Sequence, residues 1–102
     1  MKIRRPDAMQ DLLAFIHVYA PDYLPRHQTN NAQMFADVFE GMEYLQEKTP
    51  TADGKEALQQ CIRNLRVAYE DFEHGHVNRA SRTVEDTAEM FRKARKYIDT
   101  DD

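Results

Sequence analysis

A chain of 102 residues and 12.0 kDa has room for one small domain, and area scaling allots it roughly 6,000 Å² of folded surface against about 17,400 Å² unfolded. Leu, Ile, Val and Phe number 20, at the compositional border of foldable chains, while three Gly and four Pro exclude collagenous and low-complexity readings. Fourteen basic against 18 acidic residues, a net charge of −4, disfavour a general polyanion-binding surface, and no run approaches the ~18 apolar residues of a membrane span.

The spacing predicts a first helix from Pro6 or Asp7, with Asp7 and Gln10 placed as a capping-box pair, to Ala20, where Pro21 stops it. Residues 1–5 before it are expected to fray. Met9, Leu12, Leu13, Phe15, Ile16, Val18 and Tyr19 occupy nearly its whole circumference. A helix apolar all round needs cover on several sides, so it is either the centre of the bundle or a partner for another chain. Leu12, Phe15, Val18 and Tyr19 are the candidate interface, extended by Tyr23 and Leu24 in a proline-braced loop between Pro21 and Thr29.

A second helix starts near Asn30, with Gln33 three residues on, and reaches about Lys48. Phe35, Val38, Phe39, Met42 and Leu45 make its inward face, and Gly41 beside them suggests the close approach of a neighbour. The third helix follows Thr49-Pro50-Thr51-Ala52, with Asp53 and Glu56 at capping-box spacing. It carries Leu58, Cys61, Ile62, Leu65, Ala68, Tyr69 and Phe72 inward and ends near Gly75, suited to a left-handed C′ position. The fourth runs from Val77 or Asn78 to Ile98 with Ala80, Val84, Ala88, Phe91, Ala94 and Ile98 inward; residues 99–102 should fray.

No segment alternates as a strand would. The expected fold is therefore all-α, a small four-helix bundle over residues 1–102, with the last two helices as an antiparallel hairpin because their connection is the shortest. The small residues Ala68, Gly75, Val77, Ala80 and Val84 have a spacing that resembles one tetratricopeptide-type helical hairpin. The resemblance covers about a third of the chain and lacks that family's early aromatic and terminal proline, so the spacing implies a tight hairpin and nothing more.

Chemistry is sparse. His74 and His76, with Glu70, Asp71 and Glu73 upstream, are the one candidate metal pair, and Gly75 would provide the turn that brings i, i+2 residues together. Arg82, Arg92 and Lys96 share one side of the fourth helix and are the candidate nucleic-acid contacts, although Glu89 lies among them. His17 on the apolar first helix reads as a core or interface histidine. Cys61, the only cysteine, reads as a small buried hydrophobe, and it excludes an intramolecular disulfide. No phosphate-cradling loop, nucleophile elbow or His-Glu-x-x-His motif is present.

The expectation is a non-enzymatic protein-interaction module (an adaptor, an inhibitor or immunity-like protein, or a chaperone-like factor). It would be cytoplasmic, free of cofactors and of a membrane, and binding a protein partner or itself as a homodimer. The alternatives are a divalent-metal or small-ligand binder at His74 and His76, or an accessory DNA-binding regulator.

Overall fold

The computed structural model describes residues 2–23 and 28–98, the backbone alone at 20–23 and 28–31. Among the described residues four helices form: α1 (Pro6–Tyr23), α2 (Gln28–Glu47), α3 (Ala52–Glu73) and α4 (Val77–Ala94), the last tightening into a 3₁₀ turn at Arg95–Tyr97. There is no strand among the described residues.

The helix ends show what competes with local signals. Pro6 opens α1 at the position where a missing N–H costs nothing. The Asp7–Gln10 capping box does not form, because α4 lies alongside: Asp7 pairs with Arg95, and the Gln10 amide donates to the Ala88 carbonyl at 3.0 Å. Pro21 does not end α1. The helix continues to Tyr23, although an interior proline removes one backbone bond and crowds the carbonyl four places back. Tyr23 therefore belongs to the helix rather than the loop, while its side chain and all of Leu24 lie outside the described residues.

α2 begins two residues ahead of Asn30, and Gln33 bonds forward to Asp37 at 3.0 Å instead of reaching back as a cap. At the start of α3 the cap is Thr51, not Asp53. Thr51 sits in extended backbone and its hydroxyl oxygen accepts the Gly54 N–H at 3.0 Å, which leaves Asp53 inside the first turn. α3 closes on Gly75 at φ +81°. The Gly75 N–H donates to Phe72 and the His76 N–H to Asp71, at 3.1 and 2.8 Å, the two bonds of a Schellman turn.

Cross-helix pairs give the directions. Asn64 meets Met90 and Asp71 meets Arg79, so α3 and α4 form the expected antiparallel hairpin. Asp7 with Arg95 and Gln10 with Ala88 set α1 antiparallel to α4. Gln46 with Gln59 and Phe35 with Phe72 set α2 antiparallel to α3. The core lies between them, and Met9, Leu13, Ile16, Phe35, Met42, Leu58, Leu65, Val84 and Phe91 are buried in it.

The opening residues, expected to fray, are instead tied down. Ile3 is buried and wedges against Gly41, where an added Cβ would lie 2.8 Å from the Ile3 Cβ. Arg4 bonds to both Glu40 carboxylate oxygens, at 2.6 and 3.0 Å, and stacks on the Tyr44 ring 4.4 Å from its centroid. The close approach at Gly41 is thus made by the arm before α1 together with Met9. The radius of gyration is 13.0 Å and the accessible surface 6177 Å², in line with the ~13 Å and roughly 6,000 Å² of a single domain this size.

Candidate interaction surface

α1 has more apolar positions than one buried face can take. Met9, Leu13 and Ile16 go fully into the core. At about 100° per residue, Gln10 and His17 then fall on the flank against α4, and Leu12, Phe15 and Tyr19 on the opposite flank. The bundle covers this side only in part: Phe15 is 37% exposed and Tyr19 54%, Val18 next to them 59%, while Leu12 is half-buried at the patch edge. The Phe15 and Tyr19 rings pack on each other with centroids 5.0 Å apart, so the stripe is a continuous aromatic surface. Among the described residues one other large apolar side chain is exposed, Val67 in the middle of α3's polar face.

The two histidines belong to different helix ends. His74 is the C-cap of α3, with Nδ1 2.8 Å from the Glu70 carbonyl, and His76 is the N-cap of α4; both are exposed. Two of the nearby acids have partners of their own: Asp71 faces Arg79 at 3.8 Å, and Glu73 accepts from the Tyr69 hydroxyl, a bond that raises the Tyr69 pKa. Among the described residues no group of three or more His, Cys, Asp or Glu is disposed to hold a metal ion.

The basic residues of α4 are dispersed rather than gathered. Arg92 is held by both Glu89 oxygens, one through Nε at 3.2 Å, and this pairing keeps the Glu89 carboxyl below its ordinary pKa. Lys96 lies over the Tyr97 ring at 5.2 Å. Arg82 stands about 15 Å along the axis from Arg92, ten residues at 1.5 Å each.

Two interior groups complete the picture. Cys61 is fully buried among the α3 core residues, and burial pushes its thiol up to about 11. His17 is half-buried at the α1–α4 seam, its Nδ1 3.7 Å from Glu85. The sequence reading missed the arm of Ile3 and Arg4; its one trace is a lone aliphatic residue three positions ahead of the helix-starting proline.

No described helix is long and apolar enough to cross a membrane. Compared with models of known families, with curated proteins and with solved structures, the chain finds no match in any of the three.

Proposed function

We propose that this protein is a non-enzymatic protein-interaction module, acting in the cytoplasm and self-associating through the partly exposed flank of α1. One observation carries the reading: Phe15, Val18 and Tyr19 form a contiguous apolar stripe at more than a third exposure each. Fully burying such a side chain is worth about 1.5–3 kcal/mol, and leaving several together in water invites association. The stripe is rich in the aromatic and branched residues that anchor interfaces. A two-fold contact would use it twice, so each substitution would count in both copies. The lone, buried thiol of Cys61 agrees with a reducing compartment.

Light scattering on a sizing column at two protein concentrations tests this. The expected result is a mass above 12.0 kDa that grows with concentration. In the double variant Phe15→Asp, Val18→Asp the mass should fall to that of one chain while the helical circular dichroism is retained. A single-chain mass at both concentrations in the unaltered protein would overturn self-association. So would a mass unchanged by the two aspartates.

A further inference from the structure

Inside an α-helix each residue gives its N–H to the carbonyl four places back, and Pro21 has no N–H to give to His17. α1 nevertheless runs on to Tyr23. The His17 carbonyl is bonded all the same, because the Ser81 hydroxyl of α4 donates to it at 2.7 Å. The other hydroxyl side chains of α4 behave differently. Thr83 and Thr87 return theirs to the carbonyls one turn back in their own helix, Arg79 and Thr83, at 3.1 and 2.7 Å. That is the default for a hydroxyl within a helix. Ser81 reaches across to the neighbouring helix, and the carbonyl it bonds is the one a proline leaves without its main-chain donor.

We infer that Ser81 and Pro21 are a matched pair, in which the Ser81 hydroxyl replaces the donor that Pro21 lacks and so latches the last turn of α1 to α4. Ser81 is a positioning residue: through it α4 holds the end of the helix on which Val18 and Tyr19 are displayed. The latch is a property of the single chain and stands whether or not the α1 flank is an interface.

A four-member cycle tests it: the unaltered protein, Ser81→Ala, Pro21→Ala and the double variant, each followed by backbone amide exchange. In the unaltered background Ser81→Ala should speed exchange of the amides that follow His17 about three- to tenfold, the effect of losing one hydrogen bond in a locally opening turn. The amides of Leu65 and Phe91 should keep their rates. In the Pro21→Ala background, where the main-chain N–H is restored, the same Ser81 substitution should change exchange by less than about twofold, since the carbonyl keeps a donor. Equal acceleration in both backgrounds, or none in the first, overturns the pairing. Should Ser81→Ala fail to fold, a folded double variant supports the latch and an unfolded one overturns it.

Discussion

At Gly54 an added methyl group would meet the Thr49 Cγ2, whose side chain is fixed by its hydroxyl's bond to the Leu45 carbonyl at 3.0 Å, and would lie 2.6 Å from the Tyr97 Cβ. At Gly41 it would meet the Ile3 Cβ at 2.8 Å and the flexible end of Met9 at 3.0 Å. Alanine normally gains about 1 kcal/mol over glycine inside a helix, but overpacking typically costs about 1–3 kcal/mol. Gly54→Ala should therefore destabilise by about 1–2 kcal/mol in urea melts, and Gly41→Ala by less, because the arm can lift and Met9 can turn. A Gly54→Ala variant as stable as the parent would contradict this packing. Gly41 was legible in the sequence as a point of close approach, but the identity of the neighbour was not, because a lone Ile3 outside any helix has no period to betray it.

Cys61 was legible because its spacing put it in line with Leu58, Ile62 and Leu65. Burial raises its thiol from 9.0 to about 11, so the folded chain keeps a proton that the unfolded chain releases. The resulting stability, about 3 kcal/mol, is fully present below pH 9 and is lost as the pH rises through 11. A water-soluble disulfide reagent at pH 8 should leave the native thiol unmodified and label it promptly in denaturing urea. Fast labelling without urea would show the thiol accessible.

Among the elements, type was legible for all four helices and the inward rows for the last three; the starts at Pro6 and Val77 fell where expected, but the capping pairs did not form. Three capping pairs read from spacing, at Asp7, Asn30 and Asp53, gave way to other arrangements. In two of them the reason is visible: Gln10 finds the Ala88 carbonyl on α4, and Thr51 stands in extended backbone where its hydroxyl meets the Gly54 N–H. Spacing alone cannot weigh a local cap against a partner from another helix. The Gly75 turn was legible because a left-handed residue has few substitutes. Pro21 misled for the same kind of reason as Gln10, the relevant partner lying far along the chain.

At the scale of the whole molecule, the bundle and its final hairpin follow from sequence period and loop length. The place of α1 does not follow. Its apolar circumference left open whether it sat at the centre or at an edge, and the structure gives both halves of that answer: one face is core, and among the described residues one flank is partly exposed. The exposure of Phe15, Val18 and Tyr19 follows once the core row is known, for exposure is its complement. The metal and basic candidates were chosen by nearness in sequence and on a wheel, and neither kind of nearness ensures convergence in space.

The seam between α1 and α4 also sets the order in which the chain closes on itself. Its hydrogen bonds join residues 64, 78 and 88 positions apart, whereas α3 and α4 meet across a single tight turn. Loop-closure entropy favours the short closure first, so the hairpin should be formed in the folding transition state and α1 should dock after it. Leu65→Ala and Val84→Ala should then slow refolding, while Leu13→Ala and Gln10→Ala should mainly hasten unfolding. Stopped-flow chevrons of these four variants would read that order directly, and a refolding limb slowed as much by Leu13→Ala as by Val84→Ala would reverse it.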